Sequence, residues 1–94
     1  MPFHLPQPRT TVICRDLPEG AVLFCTRTEL YFSLNPIGAR IWKLLPPVCT
    51  NDDEVVAQLS AEYPEVNVGK ISTDVRRLLD ELIANELVDL PFAA

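Results

Sequence analysis

The 94-residue sequence has few of the residues that carry catalysis or bind cofactors. It contains a single histidine, His4, and no nucleophilic side chain lies beside a histidine or another plausible base. Its three glycines, Gly20, Gly38 and Gly69, are isolated, so no glycine-rich loop is available to cradle a phosphate. We therefore expect a protein that is not an enzyme and that needs no cofactor.

Cysteine is also scarce, and its spacing excludes the usual zinc and redox motifs. Cys14, Cys25 and Cys49 form no C-x-x-C pair, whereas a zinc site needs about four nitrogen or sulfur ligands in characteristic spacings. We expect no bound metal and three free thiols that serve as small buried hydrophobic residues. The alternative is a small thiol-based redox protein, in which Cys14 and Cys25 would pair between neighbouring strands.

Long apolar runs and targeting signals are absent as well. No apolar stretch approaches the length needed to cross a bilayer. The first ten residues lack a basic region followed by an apolar stretch, so they do not predict a signal peptide. We expect a cytoplasmic protein with no membrane partner. It should form a single domain over 1–94, in which the prolines of residues 1–9 favour an extended arm.

Positive charge is too sparse for nucleic-acid binding. Residues 1–50 carry five Arg or Lys and three Asp or Glu, a net charge of +2, whereas residues 51–94 carry three and ten, a net charge of −7. Affinity for a phosphate backbone comes largely from Lys and Arg. The overall charge of −5 therefore favours a protein or peptide partner.

Three β-prone runs occupy the N-terminal half of the chain, namely Thr10–Arg15, Ala21–Cys25 and Leu30–Leu34. Short turns separate them, which predicts an antiparallel meander. The second run is apolar throughout, so it should be central or covered on both faces. Successive side chains of a strand point to opposite faces, so one of Tyr31 and Phe32 should pack inward and the other outward.

Three helices are predicted after the strands. Asn35 caps the first, Pro36 occupies its first turn, and the Pro46-Pro47 pair ends it. Either Thr50 or Asn51 caps the second, which ends at Pro64. Asn67 or Ser72 opens the third, with Asn67 favoured, and Asn85 suits a left-handed C-cap.

Strands followed by helices indicate an α+β fold, a three-stranded antiparallel sheet that precedes a winged-helix-like three-helix bundle. A winged-helix DNA-binding protein is thus an alternative. Its recognition helix would be residues 70–86, which carry three basic and four acidic residues, a net charge of −1. This charge is a poor match for a phosphate backbone.

Polar and aromatic residues on the helices each allow two interpretations. The run Asp52-Asp53-Glu54 could bind a cation, but an acidic first turn also suits the helix dipole. Trp42 is expected in the core rather than in a binding site. Lys70, Asp74, Arg77 and Glu81 form a stripe on the third helix that is either a solvated face with local ion pairs or the rim of a groove.

The sequence resembles a known family in two segments. YFSLNPIGARIWKLL is followed by a helix with an acidic first turn and then by DVRRLLDELIANELV. Together they resemble the PqqD-like precursor-peptide recognition domains of ribosomally made, modified peptides, over about Cys14 to Asp89. Ser33-Leu34-Asn35 and Trp42 are more similar to the stand-alone proteins of lasso-peptide pathways than to the quinone-cofactor chaperones.

The resemblance implies a function in peptide binding. The leader segment of a precursor peptide would join the third strand as an added strand, in a groove walled by the third helix. The implied partners are this leader, a leader peptidase and, in lasso pathways, a cyclase. The implied peptide-binding residues are Leu30, Tyr31, Phe32 and Ser33 on the strand and Asp74, Arg77, Leu78 and Glu81 on the helix. Glu29 and Glu86 stand where such proteins often have glycine.

Overall fold

The structure, a computed structural model, describes residues 4–89 and has the α+β architecture expected from the sequence. The strands are β1 (Gln7–Pro8), β2 (Val12–Leu17), β3 (Gly20–Cys25), β4 (Leu30–Leu34) and β5 (Val88–Asp89). The helices are α1 (Pro36–Leu44), α2 (Asp52–Glu62) and α3 (Val68–Ala84). The three predicted strands correspond to β2, β3 and β4.

The antiparallel meander has β3 at its centre, between β2 and β4. Ala21, Leu23 and Cys25 on β3 are buried and face the helices, chiefly α1. Val22 and Phe24 alternate with them and remain half-buried on the outer face. The apolar second strand is therefore central, as predicted, but helices cover only one of its faces.

The predicted bounds of the first strand were wrong by two residues at each end. The prediction was Thr10–Arg15, and β2 spans Val12–Leu17. Residues 10 and 11 lie in a turn in which the Val12 amide donates to the Arg9 carbonyl at 3.1 Å. The strand continues instead up to the tight turn at Pro18-Glu19, because its last residue still pairs with the start of β3.

The N-terminal arm is extended over its described part, residues 4–9, and is bound to the domain. Leu5 is buried, and its amide donates to the Thr50 carbonyl at 3.1 Å. Gln7–Pro8 pairs with Val88–Asp89 in a separate two-stranded sheet. The arm thus closes over the chain that follows α3, a pairing that the sequence analysis did not predict.

Asparagine caps all three helices. Asn35 Oδ1 accepts from the Gly38 amide at 2.7 Å, and Asn51 Oδ1 accepts from the Glu54 amide at 3.0 Å. Asn67 Oδ1 accepts from two amides at the start of α3. Asn51 rather than Thr50 therefore caps α2, since the Thr50 hydroxyl donates to the Glu54 carboxylate instead. Asn67 rather than Ser72 caps α3.

Two glutamates adopt the left-handed backbone conformation that glycine tolerates best. Glu29 has φ 61° and Glu86 has φ 57°. The prediction of a left-handed cap at Asn85 was wrong, since Asn85 has φ −94° and the next residue makes the turn. A left-handed β-carbon lies close to the following carbonyl, which costs about 1–2 kcal/mol per residue. Both turns therefore have the backbone conformation that glycine tolerates best, although a glutamate occupies each position.

The core lies between the inner face of the sheet and the helices. Trp42 on α1 is 8% exposed and belongs to it, as predicted. Ile41 and Leu44, its neighbours on α1, are also buried. From α3 the buried residues are Ile71, Val75, Leu79 and Leu82, while Leu78 is only half-buried.

An ion pair joins α1 to the end of α2. Arg40 Nε lies 2.9 and 3.0 Å from the two carboxylate oxygens of Glu62, and Arg40 Nη2 lies 2.7 Å from Oε2. Gln58 Nε2 donates to the same carboxylate at 2.9 Å. The hydrogen bonds from Arg40, aided by the bond from Gln58, lower the pKa of Glu62 from 4.5 to about 2.

We predict that Trp42→Ala lowers the free energy of unfolding by about 3–5 kcal/mol, the usual cost of truncating a buried aromatic residue. Urea unfolding followed by circular dichroism measures it. Trp42→Phe is the control, because it keeps most of the buried apolar volume and should cost clearly less. An unchanged unfolding midpoint in Trp42→Ala would show that the indole does not support the core.

We predict that Glu62→Gln lowers the free energy of unfolding above pH 5 and that this difference disappears towards pH 2. The folded pKa of Glu62, about 2, lies below its ordinary value of 4.5. The stabilising contribution is therefore complete above the ordinary pKa and is lost as the pH falls through the folded one. Urea titrations of both proteins between pH 2 and 6 test this. A difference that stays constant over that range would contradict the prediction.

We predict that Glu29→Gly raises the free energy of unfolding by about 0.5–1 kcal/mol. Glycine removes the left-handed strain, and its greater freedom in the unfolded chain offsets part of that gain. Glu29→Ala keeps the β-carbon and removes only the carboxylate, so it should not stabilise. Thermal unfolding of the three proteins at one pH provides the comparison, and equal gains from both variants would assign the effect to the carboxylate.

Candidate functional site

A groove of about 340 Å³ runs between β4 and α3. Half-buried apolar side chains form its floor, with Phe32 on β4, Ile37 on α1 and Leu78 on α3. Charged side chains of α3 form its outer wall. Its lining residues are Phe32, Ser33, Leu34, Asn35, Ile37, Gly38, Ile41, Lys70, Asp74, Arg77, Leu78 and Glu81.

The groove opens beside a strand edge whose backbone groups are available. Within residues 4–89, β4 pairs only with β3. The Thr26 amide donates to the Thr11 carbonyl at 2.9 Å, continuing the ladder between β3 and β2. Because hydrogen-bonding direction alternates along a strand, the even-numbered residues of β3 bond to β2 and the odd-numbered ones bond to β4.

The register then identifies the open groups on β4. Cys25 and Leu23 face Leu30 and Phe32, which therefore direct their N–H and C=O groups towards β3. The N–H and C=O groups of Tyr31 and Ser33 point the other way, to the open edge. An unpaired row of this kind is a template for another strand.

Asp74 lies between two cations on the wall of the groove. Its carboxylate is 2.6 Å from Arg77 Nη2 and 3.3 Å from Lys70 Nζ. Burial by itself raises the pKa of Asp74, but the hydrogen bonds and charges of Arg77 and Lys70 outweigh burial, so the net shift lowers it. Asp74 is therefore ionised at neutral pH, and its charge is already compensated.

Six of the eight predicted peptide-binding residues line the groove, and two do not. Phe32 and Ser33 lie on its strand side, and Asp74, Arg77, Leu78 and Glu81 lie on its helix side. Leu30 is 66% exposed beyond one end. Tyr31 is 73% exposed on the outer face of the sheet, where its ring lies 4.8 Å from that of Phe24.

Tyr31 can therefore take part in strand pairing through its backbone, whereas its side chain cannot enter the groove. Successive side chains of a strand point to opposite faces, and of Tyr31 and Phe32 it is Phe32 that points inward to the groove. Lys70 belongs to the stripe that the sequence offered as a possible groove rim, and it lines the groove although it was not among the predicted peptide-binding residues. The lining residues without a prediction are Leu34, Asn35, Ile37, Gly38 and Ile41. Most of them lie on or next to α1, and the approach of that helix to the groove is a tertiary feature.

The three cysteines are free thiols and lie outside the groove lining. Burial raises the pKa of Cys14 and of Cys49. A hydrogen bond with the Thr28 side chain lowers the pKa of Cys25, but this residue is only 1% exposed. A reactive thiol needs access as well as a lowered pKa, so the geometry does not favour the redox alternative.

Residues 4–89 have neither a cluster of metal-ligating side chains nor a helix able to span a membrane. This part of the chain contains no group of three or more His, Cys, Asp or Glu side chains arranged to hold a metal ion. None of its helices combines the length and the apolar character that crossing a bilayer requires.

Comparisons with known proteins identify the family. Among solved structures, the chain is similar to TbiB1 in complex with the TbiA(beta) leader peptide, with a TM-score of 0.78 and 30% sequence identity. The alignment covers 94% of this chain and 99% of TbiB1. No curated protein matches significantly. Residues 20–88 match the family model described as coenzyme PQQ synthesis protein D, PqqD. This match spans most of the domain, and the chain therefore belongs to the PqqD family.

Proposed function

We propose that this protein binds the leader segment of a ribosomally made precursor peptide by strand addition to β4. The observation that carries the proposal is the open edge of that strand, where the backbone groups of Tyr31 and Ser33 lie beside the groove. Main-chain hydrogen bonds to such an edge provide affinity, and pockets for alternate side chains provide specificity.

The floor of the groove suits the side chains of an added strand. Every second side chain of such a strand would face α3 and contact Phe32, Ile37 and Leu78, which are all partly exposed in the unbound protein. Burying the remaining apolar surface of these residues contributes roughly 25 cal/mol per Å². A peptide with apolar side chains at alternate positions therefore fits the groove.

The structural comparison supports the same ligand class. TbiB1 was solved with a leader peptide, and 30% identity over nearly the whole of both chains makes a related ligand reasonable here. No feature of residues 4–89 favours the alternative of DNA binding, since the exposed stripe of α3 carries acidic residues among its basic ones.

We further propose that the protein acts as a non-catalytic carrier that presents the bound leader to processing enzymes in the cytoplasm. A leader peptidase and, in a lasso-peptide pathway, a cyclase would be its partners. A groove that holds the leader by its backbone would leave the rest of the precursor free for such enzymes. Genes for these enzymes and for a short precursor next to the gene of this chain would support the assignment.

Replacing Ser33 by proline tests strand addition. Proline removes the N–H that faces the open edge, and its ring obstructs an incoming strand, whereas the ladder to β3 does not use this amide. We expect Ser33→Pro to weaken binding of a fluorescent TbiA(beta) leader peptide at least about tenfold, the effect of roughly one lost hydrogen bond plus steric exclusion. Fluorescence anisotropy gives the dissociation constants.

Ser33→Ala is the matched control, because it removes the hydroxyl but keeps the amide, and it should bind like the wild type. Phe32→Pro is a poorer variant, since the Phe32 amide belongs to the ladder with β3 and its loss would damage the sheet. Circular dichroism establishes that Ser33→Pro is folded. Leader binding of unchanged affinity by that folded variant would rule out strand addition at this edge.

A further inference from the structure

We propose that the groove selects peptides by the order of their charges, with an acidic side chain preceding a basic one along the bound strand. The residues that determine this order are Lys70, Arg77 and Glu81. The inference rests on the proposed function, since it assumes that a peptide pairs with β4. It adds the order of the charges along that peptide.

The direction of α3 relative to β4 is the first step. Arg27, in the turn before β4, lies 3.1 Å from Glu86, just after α3. The Arg9 amide donates to the Leu87 carbonyl at 3.2 Å, near the same end of the sheet. The C-terminal end of α3 therefore lies beside the start of β4, and the helix runs antiparallel to the strand. Lys70 lies towards the Leu34 end and Glu81 towards the Leu30 end.

The second step is the distribution of charge along α3. Lys70 and Arg77 share one carboxylate, that of Asp74, so these three residues together carry a charge of +1. Among residues 4–89, no cationic side chain forms an ion pair with Glu81, because Arg77, one turn away, is directed to Asp74 instead. The wall is therefore positive towards the Leu34 end of β4 and negative towards the Leu30 end.

The third step is the direction of the added strand. All three strands of the main sheet pair antiparallel, and antiparallel pairing is slightly more stable per residue than parallel pairing. An antiparallel addition to β4 starts beside Leu34 and ends beside Leu30. Its earlier residues face Lys70 and Arg77, and its later residues face Glu81. The acidic residue therefore comes first in the peptide.

Helix and strand dimensions determine the spacing of the two charges. Arg77 and Glu81 are separated by about 6 Å along the helix at 1.5 Å per residue. A strand rises about 3.4 Å per residue, and only every second side chain faces α3. The expected pattern is therefore an acidic residue followed by a basic residue two positions later. When Lys70 is the contact, its separation of about 16.5 Å from Glu81 along the helix gives a spacing of four to six positions.

The test is a selection from a phage-displayed library of random twelve-residue peptides against the full chain. We expect the recovered sequences to be enriched in acidic-then-basic pairs at spacings of two, four or six. Synthetic peptides with the two charges exchanged should bind about two- to fivefold more weakly, the range for partly exposed ion pairs, and the difference should shrink at high salt.

The double variant Arg77→Glu with Glu81→Lys provides the matched control, because it exchanges the charges and keeps the net charge. Selection on this variant should yield the opposite order. Recovered peptides without a charge order, on both proteins, would overturn this inference and leave peptide binding intact. Peptides with the basic residue first on the wild type would overturn the antiparallel direction. Recovery of no binding peptide would count against the proposed function itself.

Discussion

The alternation of backbone hydrogen bonds across β3 is the constraint on which the site depends. A strand in the middle of a sheet uses alternate residues to bond to each neighbour. Because the even-numbered residues of β3 bond to β2, Leu30 and Phe32 must bond inward and Tyr31 and Ser33 must leave their groups at the edge. A shift of one residue in the pairing of β4 would reverse both the open amides and the side chains over the groove.

The connection between β4 and α1 holds that register in place. Only Asn35 separates the strand from the helix, and its side chain caps α1 through the Gly38 amide. At the same end of the sheet, Gly20 approaches the backbone of Leu34 so closely that a β-carbon there would collide with the Leu34 carbonyl oxygen. The strand that offers the open edge is thus confined by a helix cap and by a close backbone contact.

Some charged residues join elements of the fold, and others face the groove. Arg40 and Glu62 connect α1 with α2, and Arg27 and Glu86 connect the turn before β4 with the end of α3. Lys70 and Arg77 instead use the single carboxylate of Asp74, which leaves a positive excess at one end of the groove. The same types of side chain therefore stabilise the fold in one place and give the groove its polarity in another.

Much of the fold could be predicted from local sequence signals. The asparagine caps, the prolines and the apolar spacing located all three helices, and β4 was predicted with its observed bounds. These signals act within a few residues, so the sequence displays them directly. The start of β2 was missed because its bounds depend on pairing with β3, and the left-handed turn after α3 was placed one residue early.

The sequence by itself determined the order of the three main strands and the three helices, the acidic charge and the absence of catalytic motifs, because each depends on residue type and local spacing. Only the tertiary structure decided which amides of β4 are open, that Tyr31 faces away from the groove, and that Lys70 and α1 help to line it. These features depend on strand register and on the packing of distant segments. The sequence of a single strand or helix specifies neither the register nor the packing, because both depend on contacts between elements that are distant in the chain.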